Sequence, residues 1–238
     1  MWGVGFRGIG AFIVTFLAAV GLLATDKGKV CKVSANDTVD LCAAEDKFIG
    51  VLDTVDIDGQ MNCANVQTKG YVEDLPYTGN PGLGYVELVA NGAGGVKPAG
   101  AAVAASLATG VVANNNALTF TSKAPGTLGN DISITLIDPA GNNGALSVDV
   151  VGRDINVTCA TDGASAIAST AAEIKAAVEA SAAADLVTVA HTGASTGAAL
   201  VVAVAKTDLA GGTNASEGRL LLVVSKDAGA GTLTVDLG

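Results

Sequence analysis

The chain has 238 residues, half of them hydrophobic, 4% aromatic and 15% charged, with a formal net charge of −10. That length fits one or two domains, and a core drawn mainly from Ala and Val, with 31 glycines, favours strands and turns over helices. Thirteen basic residues set evenly among 23 acidic ones exclude a phosphate-neutralising surface for nucleic acid, and so low a charged fraction suits a subunit that covers part of itself against partners.

The first apolar run spans residues 9–24, with Arg7 just before it. A basic start followed by an apolar stretch fits a signal peptide, but the run is short for a membrane span. Its Phe, Ile, Val and Thr content reads as a buried strand over Ala11 to Ala18 followed by a turn. Strands are then predicted over Lys29–Ala35 and Thr38–Cys42, joined at Asn36-Asp37, and over Phe48–Val55. After a turn at residues 57–60, residues 62–73 read as one long strand. Pro76, Gly79, Pro81, Gly82 and Gly84 mark a loop. Tyr85–Ala90, the turn 91–95 and Val96-Lys97 read as a hairpin.

Composition changes at residue 98. Residues 100–116 carry no charge and read as a linker or an ill-defined connecting strand. From 117 to 213 the pattern is that of a small α+β unit. Strands are predicted at Leu118–Ser122, Ile132–Ile137, Leu146–Val151, Ile155–Cys159, Leu186–Ala190 and Leu200–Ala205. Thr170 and Glu173 form a capping box before a helix running from about Ala171 to Ala183, with Ile174, Ala177 and Val178 on one face. The tail from Gly218 to Leu237 is a hairpin. The β-rich start lacks a closing hairpin and the tail supplies one. The fold class expected is therefore mainly β: a discontinuous barrel- or sandwich-like base, 1–99 plus 217–238, carrying an inserted α+β domain with one helix on a sheet.

Chemistry-bearing patterns are sparse. Cys31, Cys42, Cys63 and Cys159 form no CxxC pair, and the one histidine is His191, so a zinc site lacks its grouped ligands. Buried free thiols are expected, with a Cys31–Cys63 or Cys42–Cys63 disulfide as the other reading. His191 is the sole side chain able to serve as a histidine base, yet it sits in a Gly/Ser/Thr-rich loop with no nucleophile–orienter pattern around it. Gly92–Gly95 is not followed by a helix, which fails the dinucleotide fingerprint. Asp53, Asp56 and Asp58 do not complete an EF-hand loop. Sequons at Asn36, Asn156 and Asn214 matter only in a eukaryotic secreted chain. The expectation is a non-enzymatic protein with no cofactor and no metal.

The outer segments resemble a known family. The stretches Val30–Asn36, Asp46–Val51, Val66–Val72, Pro76–Gly79, Gly84–Lys97 and the end beginning Gly218-Arg-Leu-Leu-Leu-Val-Val are similar to the small β-rich capsid decoration (head cement) proteins of tailed bacteriophages. In short members the Gly-Gly-Val-Lys strand runs almost directly into the Gly-Arg strand. The insert, through Leu118–Ile134 and Leu209–Thr213, is similar to a module of phage tail-sheath and other virion-surface proteins. The resemblance implies a virion structural protein on the outer capsid surface, a homotrimer bound to the major capsid protein. It implies neither a nucleic-acid nor a membrane partner, and an insert that projects outward. Residues 5–18 would supply a strand-adding arm or the intersubunit seam, and the contact residues expected are Phe6, Ile9, Phe12, Val14, Phe16, Pro76 and Tyr77. Loops 138–144 and 191–197 would be the candidates for host-surface glycans. The alternative reading is a tail-tube or tail-fibre component, or an adhesin-like surface module.

Overall fold

The computed structural model describes residues 10–57, 59 and 62–238. Strands dominate it, with a single α-helix among the described residues, so the protein is mainly β. Contacts divide the chain into two compact units: one built from the chain up to Gly100 together with Ser216–Gly238, the other from Ala101–Ala215.

The first unit opens with β1 (Phe12–Ala18), β2 (Val30–Ala35), β3 (Thr38–Leu41), β4 (Gly50–Asp56) and β5 (Cys63–Lys69). They close into a barrel in the order β1-β3-β2-β4-β5. Its interior holds Leu22, Cys31, Val39, Leu52, Val55, Ala64 and Val66, with Phe16 and Leu41 packed against them. Next come β6 (Tyr71–Pro76), β7 (Gly84–Ala90) and β8 (Val96–Pro98). The residues expected as one long strand thus form two, β5 in the barrel and β6 in a second sheet. Gly70 divides them at φ +83°, and a Cβ there would stand 2.7 Å from the Gly10 backbone, a conformation and a closeness that only glycine tolerates.

The second unit follows. The segment expected as a linker or connecting strand contains β9 (Ser106–Thr109). β9 pairs antiparallel with β10 (Leu118–Ser122), Leu107 opposite Phe120, and Ala105 is fully buried. Small uncharged side chains looked like linker because Ser106–Thr109 is short and only Thr109 in it is a strand former. β11 (Ser133–Ile137), β12 (Ser147–Val151), β13 (Asp154–Thr158), α1 (Ala171–Glu179), β14 (Val187–His191) and β15 (Val204–Asp208) complete the unit. Two sheets form, β14-β10-β9 and β12-β13-β11-β15, where one sheet was expected. Both sheets and α1 share one core through Phe120, Leu118, Ile134, Ile155, Ile174, Val178 and Val189. The capping box is present: Glu173 N–H donates to Thr170 Oγ1 and Thr170 N–H to Glu173 Oε2 at 2.8 Å. The helix stops at Glu179, short of the expected Ala183, because Ser181 turns its hydroxyl onto the Ala183 N–H and starts a separate 3-10 turn over Ala182–Asp185.

The chain returns with β16 (Arg219–Asp227) and β17 (Thr232–Asp236). This hairpin is not an appendage. It forms the middle of the first unit's second sheet, in the order β6-β17-β16-β7-β8. β16 runs antiparallel to β7, Leu221 opposite Val86, and β17 to β6, Val235 opposite Val72. Its inward side chains Leu221, Val223, Leu233 and Val235 pack with Val30, Phe48 and Val51 of the barrel wall. Alternation explains how one wall serves two cores: Val30 and Val51 face the sheet while Cys31 and Leu52 face the barrel interior. Departure and return lie side by side, since Ser216 N–H donates to Gly100 O at 2.9 Å, a geometry that lets a domain be inserted without stretching its host.

Candidate functional site

β1 carries the feature that stands out chemically. It pairs with β5 along its whole length, from Phe12 opposite Lys69 to Leu17 opposite Cys63. On its other side it meets β3 only at Leu17–Thr38 and Ala18–Val39. Among the described residues, no strand pairs with Ile13–Phe16 on that side. Leu17 and Ala19 send their N–H groups to Asp37 O and Val39 O, while Ala18 sends its N–H the opposite way, to Asn62 O. By strand alternation the N–H groups of Ile13 and Thr15 therefore point to the open side.

Beside this edge lies a cleft of about 450 Å³ lined by Val14, Thr15, Phe16, Leu17, Asp37 and Cys63. Its surroundings are apolar and exposed: Phe12 is 57% exposed, Ile13 48% and Leu17 43%, with Val20, Leu23 and Val33 also open to solvent. Residues 10–25 carry no charge. Asp37, the turn residue at φ 54° that ends the cleft, is the one charged lining group. A more enclosed pocket of about 160 Å³, lined by Lys27, Asp53, Gln67, Tyr71 and Glu73 among others, is smaller than the ~300–1,000 Å³ typical of ligand sites. Lys27 and Asp53 approach to 3.6 Å there.

The structure distributes the expected contact residues unevenly. Phe6 and Ile9 lie outside the described residues. Phe12, Val14 and Phe16 are together on β1, but Val14 and Phe16 are half-buried, Phe16 against the barrel core, whereas Phe12 is exposed. A register irregularity between Phe12 and Ile13 puts Phe12 out of phase. The outward residues are Ile13 and Leu17, which the sequence reading passed over. Both faces of β1 are apolar, so period alone does not say which one is inside. Pro76 ends β6, exposed, and Tyr77 packs half-buried on the second core, its N–H donating to Gly231 O at 3.0 Å. These two belong to the other sheet.

The remaining polar candidates are taken up by the fold. Thr196 in the loop 191–197 donates its N–H to Asn115 Oδ1 at 2.6 Å, and Ser195 Oγ accepts from Ala117 N–H. Loop 138–144 is held by Asn143 N–H on Asp162 O and Gly144 N–H on Thr161 Oγ1, both at 2.9 Å. His191 ends β14 with Gly197 close against its ring, and its Nδ1 is buried without a hydrogen-bond partner among the described residues. All four cysteines are free thiols. Burial pushes Cys31 and Cys42 up to about 12. Among the described residues no group of three or more His, Cys, Asp or Glu is placed to hold a metal, and no helix is long and apolar enough to cross a membrane. Neither the protein-family models nor the curated proteins nor the solved structures contain a match to this chain.

Proposed function

We propose that this chain is a structural subunit that decorates and cements the outer surface of a tailed-phage capsid, binding the major capsid protein as a homotrimer. The observation that carries the reading is the apolar strip along β1 with its open edge, set on a weakly charged acidic chain. A strip of this kind marks a protein-binding surface. Cementing needs no catalytic group: a subunit bridging neighbouring shell proteins buries area that resists internal pressure, and symmetry multiplies a small gain over many copies. The charge of −10 supports an outer position, because it disfavours lining packaged DNA. The insert fits as added coat mass, since internal hydrogen bonds such as Thr196 N–H to Asn115 Oδ1 and Gly144 N–H to Thr161 Oγ1 tie down both candidate loops.

The test is co-sedimentation of the purified full chain with empty shells stripped of it, followed by heating. Binding at saturation with a raised temperature of shell disruption is expected. A folded protein that leaves the shells unbound and no more heat-stable would refute the reading.

A further inference from the structure

We infer that β1 is an acceptor edge: it binds an extended strand donated by the partner protein, and the donated strand carries apolar alternate residues and a Lys or Arg at the end beside Asp37. The identity of the donor rests on the decoration reading; the edge chemistry does not. The sequence reading gives residues 5–18 as a strand-adding arm or the intersubunit seam. Residues 12–18 form β1, a wall of a closed barrel, paired over six registers with β5 and packed through Phe16 on the interior, so they act with β1 in place. Pulling it away would open the barrel.

The opposite role fits each observation. β3 begins only at Thr38, so among the described residues no strand fills the position in line with β3 beside Ile13–Phe16. Main-chain groups of Ile13 and Thr15 face that position, and added-strand recognition takes its affinity from such groups. The adjoining cleft offers Val14, Phe16 and Cys63 to one side chain of the incoming strand. Specificity follows from charge. Nothing in residues 10–25 is charged, and Asp37 alone marks one end, so a strand with a cation at that end is favoured over one with an anion.

The probes are two synthetic hexapeptides at millimolar concentration, acetyl-Lys-Val-Thr-Val-Thr-Val-amide and its Glu-first counterpart, added to the full chain while amide exchange is followed. The Lys peptide is expected to slow exchange at Ile13 and Thr15 about tenfold, with the Glu peptide doing much less. Thr15→Pro removes the outward N–H while sparing the β5 ladder, a position where an edge strand accepts proline; its protection should vanish. Asp37→Asn, well tolerated at positive φ, should erase the preference between the peptides, and it keeps the test valid if the proline variant misfolds. Unchanged exchange at both amides overturns the inference, and so does equal protection by both peptides. Protection that rises with protein concentration alone also overturns it, because a second copy then fills the edge. Shell binding by the wild-type chain is read separately, so failure of the decoration reading and failure of the acceptor edge give different results.

Discussion

Arg219 is the residue whose loss should weaken the first unit while leaving the second unmoved. It stands at the first position of β16, where the chain re-enters the first unit. Its guanidinium donates to three backbone carbonyls: Nη1 to Ile49 O, and Nη2 to Thr68 O at 2.7 Å and Leu237 O at 2.6 Å. It also lies 5.9 Å from the centre of the Phe48 ring. One side chain thus ties the barrel, the last strand and the second core, and partial burial lowers its pKa from the ordinary guanidinium value. Arg219→Met keeps the stem and removes the fork. A charge-assisted bond is worth about 1.5–3 kcal/mol when dry, but water reaches this half-buried group, so about 1 kcal/mol per carbonyl is the better figure, with ~0.5 kcal/mol for the ring contact. The loss is about 3.5 kcal/mol, which at a slope of ~2 kcal/mol per molar urea moves the midpoint down by about 1.7 M. Tyr71, Tyr77 and Tyr85, the chain's 3 tyrosines, all fall in the first unit, so tyrosine fluorescence follows that unit alone. Amide exchange over Ala171–Glu179 follows the other. The tyrosine transition should shift and the helix should not. Equal shifts in both signals, or none, would refute the argument that Arg219 locks a separately folding unit.

Three further outcomes are expected. Thr170→Ala breaks both arms of the capping box and should cost about 1 kcal/mol, lowering the melting of the second unit by roughly 5 °C in calorimetry with the first unit unmoved. Asp26, buried and bound by Lys29 Nζ at 2.7 Å and Leu23 N–H at 2.8 Å, has its pKa lowered from 3.8 by those bonds, Lys29 foremost; its folded value lies below the unfolded one, so its stabilisation is present above that range and is lost as pH falls through it. Acid titration of Asp26→Asn, watched by tyrosine fluorescence, should therefore start from lower stability near neutrality and fall less steeply below 3.8 than wild type. Thiol titration should find Cys63 reactive in the native chain and Cys31, Cys42 and Cys159 only after denaturation, since those three are buried; two or more fast thiols in the folded protein would contradict the packing.

Local signals carried the strands well and their neighbours poorly. The turn pair at Asn36-Asp37, the hairpin after Tyr85 and the Thr170–Glu173 box are short-range patterns, and the chain folds accordingly at each. Gly70 was invisible as a break because Lys69 and Tyr71 both suit strands, and only the approach of the Gly10 backbone explains it. β9 was indistinct for a related reason: Ser106–Thr109 is a strand only because Leu118–Ser122 lies beside it. β15 begins at Val204 where Leu200 was expected, because Asn116 Nδ2 donates to Leu200 O and holds that segment to the opposite end of the core. The docking edge was half legible. Its apolar run was plain, but which face points outward depends on barrel closure, a long-range fact about β3 and β5.

The order in which the first unit is completed yields the strongest test of its discontinuity. β6 and β7 are neighbours in sequence, yet they are separated in the sheet by β17 and β16. No core between sheet and barrel can form until the tail arrives, and the tail emerges after the whole second unit. Removing Ser216–Gly238 strips Leu221, Val223, Leu233, Val235 and Leu237 from that core. At ~1.5–3 kcal/mol for each buried side chain, the loss is about 10 kcal/mol, as large as the ~5–15 kcal/mol that holds a typical domain together. The second unit loses no core residue by this deletion, since its contacts end at Ala215. The truncated chain should therefore keep protected amides over Ala171–Glu179 and lose its tyrosine transition. Adding residues 216–238 as a separate peptide should restore that transition in proportion to peptide concentration, because β16 and β17 pair only with each other and with β6 and β7. A truncated chain that retains a cooperative tyrosine transition would mean that β6, β7 and the barrel close without the tail, and the insertion would then be an ordinary second domain on a complete first one.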